Sequence, residues 1–368
     1  MAGSRFPNLD GLRFIGAGLV IIWHTEKARN FLGLGRCARL GHWEQLGQAG
    51  VLLFFVLSGF LITWLLLAEE HHQGRIHVRR FLVRRALRIW PLYFLMVLLA
   101  LFVIPFFPLL RAPGMLAAEV ALHWPVKLLL FLFFLPTLVP ELTNGVPDAA
   151  HLWSIGTEEY FYALWPFLMV GFKRFRPMLI MVVFLGWPLV FSALAHGTAA
   201  EIRGAGLAFA FWRNFNIDAM AVGAGMALLL FRRSMALRLL LDLRFFFTAV
   251  LATGVVLASN TLLGAVGFRA MCLLFGVIVL NLAANAKAAH VLEWHWIRYL
   301  GRISYGLYVF HPPLIVLVLS LLARSSLLPD LLAYPLIFLL TTLVAATSHR
   351  YFEAPFLKLR DRSMPSAI

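Results

Sequence analysis

The sequence predicts an all-α integral membrane protein with about ten transmembrane helices, and three observations support this. Apolar residues make up 61% of the 368 residues and charged residues only 13%, compared with about 25% charged residues in soluble domains. Several apolar stretches reach the roughly 17–25 residues that a transmembrane helix needs. Most of the 32 Lys and Arg lie between these stretches. The net charge of +15 is therefore interpreted as an orientation signal and a source of phosphate contacts, not as a nucleic-acid surface.

Each predicted span is an apolar stretch bounded by polar or basic residues. In chain order, the ten spans cover residues 9–29, 47–68, 89–110, 151–172, 177–195, 213–231, 245–262, 265–284, 299–322 and 331–352. The first is expected to be a retained helix, because it contains Arg13 and no cleavage-site pattern follows it. The stretch 124–140 is flanked by prolines and is borderline in length, so we predict a re-entrant or interfacial segment. This arrangement places most basic residues inside, with both termini cytoplasmic.

Residues 1–368 are expected to form a single transmembrane domain that ends in a short basic cytoplasmic tail, residues 354–368. The sequence contains no recognisable internal repeat, low-complexity tract or appended soluble domain. Cys37 lies in a loop and Cys272 in an apolar span, so neither a disulfide nor a thiolate metal site is expected. Zinc-binding spacings, Walker motifs and dinucleotide-binding glycine patterns are also missing. We therefore predict no metal.

The first span carries two ionisable side chains, Arg13 and His24. Such groups are costly in a membrane helix, so a functional role is favoured. Their spacing corresponds to three helical turns plus roughly 20°, which places both on nearly one face, about 16 Å apart. Asp10 lies on the same face. The alternative is structural: Arg13 extends to the lipid headgroups and His24 bonds a neighbouring carbonyl.

An arginine cluster formed by Arg84, Arg85 and Arg88 directly precedes Trp90 and Pro91 at the start of the third span. Arg84 and Arg88 are four residues apart and share a helix face. Closely packed guanidinium groups repel one another, and they bind phosphate in a bidentate manner. An anion-binding site at the cytoplasmic mouth is therefore favoured. The alternative is an orientation signal in contact with anionic lipid.

Two adjacent glutamates, Glu158 and Glu159, lie inside the fourth span. Two buried carboxylates side by side are very costly unless they are protonated or paired. Adjacent helical positions point about 100° apart, so at most one of the two faces a given cavity. The sequence does not show which of the two does so. The alternative is a structural pair that is neutralised by a cation from another part of the chain.

Three further polar residues are candidates for supporting such a site. Ser154 belongs to the same stretch as the glutamates, Asp218 begins a helix rich in Gly and Ala, and His311 precedes two prolines. Small residues let helices pack closely, and a structural role for Asp218 is favoured over a catalytic one. Prolines within a span leave carbonyls without intrahelical donors, and His311 is expected to satisfy one of these.

Five sequence stretches, taken together, resemble the membrane acyltransferase-3 family, whose members O-acylate sugars, lipids and secondary metabolites. They are NLDGLRFIGAGLVIIWH, GVLLFFVLSGFLIT, FLVRRALRIWPLYF, HLWSIGTEEYFYALWP and LGRISYGLYVFHPPL, in family order and over nearly the whole chain. The resemblance implies a fold of about ten helices. The family's Arg-x10-His, Arg-x-x-Arg and glutamate elements correspond to Arg13 and His24, to Arg85 and Arg88, and to Glu158 or Glu159.

The layout resembles the single-domain exopolysaccharide, Nod-factor and macrolide acyltransferases, not the members with an appended SGNH-type hydrolase domain. The resemblance implies a protein of the bacterial inner membrane that uses cytoplasmic acyl-CoA, in the first instance acetyl-CoA, as co-substrate. The acceptor implied is a hydroxyl of a carbohydrate or a related molecule. The rival class is a proton-coupled transporter or flippase of a polysaccharide or lipid-linked intermediate. That class also needs buried Arg, His and Glu, but the sequence has no recognisable inverted repeat.

The resemblance implies a role for each candidate residue. The arginine cluster would hold the phosphates of CoA. His24 would act either as a general base or as a nucleophile that carries the acyl group. Glu158 or Glu159 would orient the imidazole, and Arg13 would hold a phosphate or polarise the thioester oxygen.

Overall fold

A computed structural model describes residues 6–34, 44–112, 114, 116–196, 205–259, 265–288, 290–323 and 332–362. Cys37 lies outside these ranges, and Cys272 is a buried free thiol. All regular secondary structure in the described ranges is helical, as the apolar pattern predicts. The helices are α1 Leu9–Phe31, α2 Glu44–Gln73, α3 Val78–Phe102, α4 Ala117–Ala121, α5 Trp124–Leu132, α6 Val139–Leu142, α7 Trp153–Gly171, α8 Arg176–His196, α9 Ala205–Asn214, α10 Ile217–Arg232, α11 Met235–Leu240, α12 Leu243–Ala258, α13 Ala265–Ala284, α14 His295–Arg302, α15 Ser304–Ala323, α16 Ala333–Ser348 and α17 Ala354–Arg362.

The described helices make the chain an integral membrane protein, but the predicted count of about ten spans is not confirmed. Six segments are long and apolar enough to cross a membrane: Gln45–Gln73, Val78–Phe106, Lys173–Leu194, Gly206–Arg232, Val266–Ala284 and Ser304–Ala323. The other four predicted spans correspond to α1, α7, α12 and α16. Of these, α12 and α16 have 16 residues each, which is about 24 Å of helix and less than the roughly 30 Å hydrocarbon core.

The stretch 124–140 does not form one continuous helix. Its first part is α5, which has nine residues and is therefore about 14 Å long. A 3-10 turn, Pro136–Leu138, and the short α6 follow. The side chain of Lys127 in α5 is buried, and its Nζ donates to the carbonyl oxygens of Glu119 and Val120 at 3.0 and 2.8 Å. The segment therefore folds back onto α4, and α5 is too short to cross a bilayer.

The central helix α2 packs against α1 on one side and α10 on the other. A Cβ atom at Gly59 of α2 would lie against the carbonyl oxygen of Met220, and one at Gly223 of α10 would lie against that of Val56. Because neither glycine has a side chain, the two backbones approach closely, as small residues permit in membrane proteins. The close packing predicted for the Gly- and Ala-rich helix is confirmed.

The segment predicted as a basic tail begins with a helix that belongs to the folded unit. A π-helical turn, His349–Glu353, connects α16 to α17, and α17 packs against α3. Residues 363–368 lie outside the described ranges.

Candidate active site

Two cavities in the described part of the chain lie at opposite ends of α2. The first has a volume of about 500 Å³ and includes Leu52; the second has a volume of about 160 Å³ and includes Leu65. These two leucines are separated by about 20 Å along the helix. We call the first the histidine cavity, because it contains His24 and His151, and the second the arginine cavity, because it contains Arg84, Arg85 and Arg88.

In the histidine cavity, the imidazole of His24 is bonded to that of His311. Nδ1 of His24 lies 3.0 Å from Nε2 of His311 and 3.1 Å from the carbonyl oxygen of Val20. Nδ1 of His311 lies 2.6 Å from the carbonyl oxygen of Tyr308, one turn earlier in the proline-containing α15. His311 is fully buried. It therefore satisfies a carbonyl of its own helix with one nitrogen and meets His24 with the other.

These carbonyl contacts assign the ring hydrogens, because a carbonyl oxygen can only accept. Nδ1 of His311 must carry the hydrogen that it donates to Tyr308, so its Nε2 is an acceptor in the neutral ring. Nδ1 of His24 therefore carries a hydrogen and donates it to His311. Nε2 of His24 keeps a lone pair, and no hydrogen bond to it is found within the described residues. The arrangement leaves a neutral imidazole with a basic nitrogen on a side chain that lines the cavity.

His151 and Tyr308 extend this buried cluster, and neither was singled out from the sequence. The rings of His151 and His311 are 5.1 Å apart, and Nε2 of His151 donates to the carbonyl oxygen of Val309 at 3.1 Å. The Tyr308 hydroxyl lies 2.8 Å from the carbonyl oxygen of His151 and 2.7 Å from Oγ of Ser154. Ser154 thus contacts the cluster through Tyr308. The sequence signal that could have identified His151 is its position three residues before Ser154 in the stretch HLWSIGTEEYFYALWP.

The two glutamates of α7 face different neighbours. Glu158 accepts hydrogen bonds from Ser58 of α2 at 2.7 Å and from the Tyr162 hydroxyl at 3.0 Å. Glu159 accepts from Nε1 of Trp90 in α3 at 2.8 Å. Their divergence follows from the roughly 100° between adjacent helical positions. Glu158 is therefore the one that reaches the central helix.

The carboxylate partner expected for His24 is not observed. Neither glutamate forms a hydrogen bond with His24 within the described residues, and His311 occupies the place beside Nδ1 that the acid of a catalytic triad would take. A neutral partner avoids a second buried charge, which is costly. Glu158 instead interacts electrostatically with Arg13 and Arg85. The structure thus separates the neutral histidine pair from the hydrogen-bonded Ser58–Glu158–Tyr162 group near the middle of α2.

Arg13 and His24 lie on one helix but contact different residues. Nη1 of Arg13 is 3.5 Å from Oδ1 of Asp10, so the two predicted neighbours on this face do pair. Arg13 lines neither cavity. It interacts electrostatically with Glu158 and also with Arg85 and Arg88 of the arginine cavity.

The arginine cavity combines several cations with one acid. Arg84, Arg85 and Arg88 lie together there with a fourth arginine, Arg360 of α17, which no sequence motif indicates. Nη2 of Arg84 lies 3.6 Å from Oε1 of Glu69. Within the described residues, no carboxylate forms an ion pair with Arg85 or Arg88, and Nε of Arg85 is buried without a hydrogen-bond partner. These properties fit a phosphate-bearing ligand.

Asp218 lines the histidine cavity at the first turn of α10. Its Oδ1 accepts from the backbone N–H of Ala219 at 3.0 Å, a contact that suits an acidic side chain at a helix N-terminus. In the part of the chain that the structure describes, no group of three His, Cys, Asp or Glu is placed to hold a metal ion. The N–H groups of His151 and His311 point at carbonyl oxygens instead.

Comparisons with known proteins identify the family to which this chain is similar. Residues 6–350 match the acyltransferase domain model of the acyltransferase-3 family. The chain is 26% identical over 372 residues to the peptidoglycan O-acetyltransferase OatA of Listeria monocytogenes, and this match covers 96% of the chain and 56% of that relative. It is 25% identical to the O-acetyltransferase OatA of Staphylococcus aureus, with 96% and 57% covered. The chain thus spans a little over half the length of these relatives. No solved structure matches it significantly.

Proposed function

This chain belongs to the acyltransferase-3 family, and we propose that it moves an acyl group, in the first instance acetyl, from acyl-CoA to a hydroxyl of a carbohydrate. The observation that carries the proposal is His24, whose Nδ1–H is held by His311 while its Nε2 is left for a molecule in a cavity of about 500 Å³. The two relatives are named O-acetyltransferases, one of them for peptidoglycan. The acceptor class is proposed from those names.

Nε2 of His24 is the atom that handles the proton. As a general base, it accepts the proton of the acceptor hydroxyl while that oxygen attacks the acyl carbonyl, and it returns the proton to the leaving thiolate. As a nucleophile, it first attacks the thioester carbonyl and takes the acyl group while CoA leaves as the thiolate. The acceptor hydroxyl then attacks this acyl group, the acyl–nitrogen bond breaks, and the hydroxyl proton passes to the thiolate. Both routes develop positive charge on the imidazole. His311 stabilises that charge because its Nε2 accepts from Nδ1–H of His24.

The arginine cavity is proposed to bind the CoA portion of the donor. Arg84, Arg85, Arg88 and Arg360 would hold its phosphates, and acyl-CoA supplies the activated thioester carbonyl. The remainder of the donor would pass along α2 toward the histidine cavity. The Ser58–Glu158–Tyr162 group lies on that route, because Ser58 falls between the α2 residues that line the two cavities.

We place the arginine cavity on the cytoplasmic side of the bacterial inner membrane, with both termini cytoplasmic. The support is the density of basic residues around this end of α2, since positive charge favours the cytoplasmic side. The histidine cavity then opens toward the opposite half of the membrane, where the acceptor would arrive. On this proposal, a cytoplasmic donor and an acceptor from the other side of the membrane meet at His24.

The test uses the full chain in lipid nanodiscs, radiolabelled acetyl-CoA and an N-acetylated oligosaccharide. We expect label transfer by the wild type, a loss of about 100-fold or more in His24→Ala, and wild-type transfer in the matched control His72→Ala, an exposed residue at the end of α2. If the wild type neither transfers label nor releases CoA, the function is refuted. If His24→Ala keeps more than a few per cent of activity, the role of His24 is refuted.

A further inference from the structure

One wall of the histidine cavity is formed where α9 and α10 meet. α9 ends at Asn214 and α10 begins at Ile217, and side chains from this break, including Trp212 and Asn216, line the cavity. Trp187 of α8 also lines it. The indole rings of Trp187 and Trp212 are stacked, with centroids 3.7 Å apart and an interplanar angle of 12°. Each of the two stacked indoles covers one face of the other, so the pair can offer a ligand an outer aromatic face that the stacking holds rigid.

Two polar groups on this wall lack the hydrogen bonds that such groups usually form in a folded protein. Nε1 of Trp212 is buried and has no hydrogen-bond partner within the described residues. Asn216 occupies the N-cap position of α10, where asparagine normally bonds the first backbone N–H groups, yet its side chain forms no capping bond. A buried donor without an acceptor costs free energy. Both groups therefore favour a ligand that brings hydroxyl or carbonyl oxygens.

We propose that this wall is the subsite for one pyranose ring of the acceptor; the proposal rests on the O-acylation function above. The apolar C–H face of the ring lies against the Trp212–Trp187 pair. A ring substituent accepts from Nε1 of Trp212, and another bonds to the amide of Asn216. A hydroxyl of the same sugar then faces Nε2 of His24, which lines the same cavity.

A sugar fits this wall better than the other ligands available to such an enzyme. An acyl chain or a lipid tail would leave Nε1 of Trp212 without an acceptor and would bury the Asn216 amide unpaired. A phosphate would bind better in the arginine cavity, where four arginines lie together. A sugar ring offers both an apolar face and oxygen atoms. The cavity volume of about 500 Å³ lies within the roughly 300–1,000 Å³ of small-molecule sites.

The experiment measures sugar binding directly, without relying on turnover. Saturation-transfer NMR is recorded on the full chain in nanodiscs with chitotetraose, and empty nanodiscs serve as the blank. We expect the strongest saturation on ring C–H protons. The affinity should fall by about tenfold in Trp212→Leu, which removes the aromatic face. It should fall by about fivefold in Trp212→Phe and in Asn216→Leu, which each remove a hydrogen bond. Trp294→Leu, an exposed tryptophan outside the cavity, should bind as the wild type does.

The outcomes separate this subsite from the function on which it rests. The subsite is overturned if the wild type shows no saturation above empty nanodiscs. It is also overturned if Trp212→Leu and Asn216→Leu bind with unchanged affinity, or if hexane-1,6-diol, which has hydroxyls but no ring, displaces the sugar at similar concentration. Binding that follows the expected order supports the subsite. If acetyl transfer is absent while that order holds, the subsite stands and the O-acylation function is what fails.

Discussion

Replacing His311 tests whether the bond between the two histidines governs the reactivity of His24. His311→Leu keeps an apolar side chain at this buried position but removes the acceptor for Nδ1–H of His24. The carbonyl oxygen of Val20 then remains as the described partner of this imidazole, and the ring is freer to exchange its hydrogen between the two nitrogens. His311→Gln keeps an amide oxygen that accepts from His24 and an amide N–H that donates to Tyr308.

The size of the effect follows from the contact that is lost. The bond is 3.0 Å long, and in the transition state it is made by a positively charged imidazole; a hydrogen bond to a charged group is worth about 1.5–3 kcal/mol. If the transition state bears this whole cost, kcat falls by about 10- to 150-fold. We expect a decrease in this range for His311→Leu and a return to within about fivefold of the wild type for His311→Gln. KM for acetyl-CoA should stay unchanged, because the arginine cavity lies about 20 Å away along α2.

The assay is acetyl transfer to an oligosaccharide in nanodiscs, with thermal unfolding measured in parallel to show that both variants are folded. A wild-type kcat in His311→Leu would refute the positioning role. An equal loss in His311→Leu and His311→Gln would refute the hydrogen-bond explanation, since glutamine retains both contacts.

Two further predictions concern the donor and the membrane. Arg85→Ala should weaken CoA binding in titration calorimetry by about 1–3 kcal/mol, because a charge-assisted hydrogen bond is lost, whereas Arg79→Ala, on the exposed side of the same helix, should not. If the two variants bound CoA with equal affinity, the arginine cluster would serve only to orient the protein in the membrane. Reporters fused after residues 145 and 174 should report outside and inside, respectively, because the later basic loops then face the cytoplasm. An outside signal at 174 would mean that 124–140 crosses the membrane.

Local periodicity predicts the face of a helix but not the partner that packs against it. The spacing of Arg13 and His24 indicates one face of one helix, and α1 is continuous over both residues. His311 is 287 residues further along the chain and meets His24 only because α15 packs against α1. The sequence offered glutamate as the partner of His24, since the triad analogy calls for an acid. A membrane interior favours the neutral partner that is found.

The sequence alone also cannot distinguish the roles of two adjacent residues of the same type, because their different neighbours are specified only by the fold. Glu158 and Glu159 differ by about 100° of helix rotation, but only the packing of α7 between α2 and α3 directs one toward Ser58 and the other toward Trp90. The stacking of Trp187 on Trp212 likewise could not be predicted from the sequence. It requires α8 and α9 to pack against each other, and no local pattern specifies that contact.

The position of Arg360 indicates where a chimera between this protein and a relative should be joined. The acyltransferase domain model stops at residue 350, yet the arginine cavity takes one of its cations from α17, Ala354–Arg362. A chimera cut at the edge of the recognised domain would keep every family motif and the histidine pair, but it would open the donor cavity on one side. Swaps of acyltransferase units between relatives should therefore place the junction after α17.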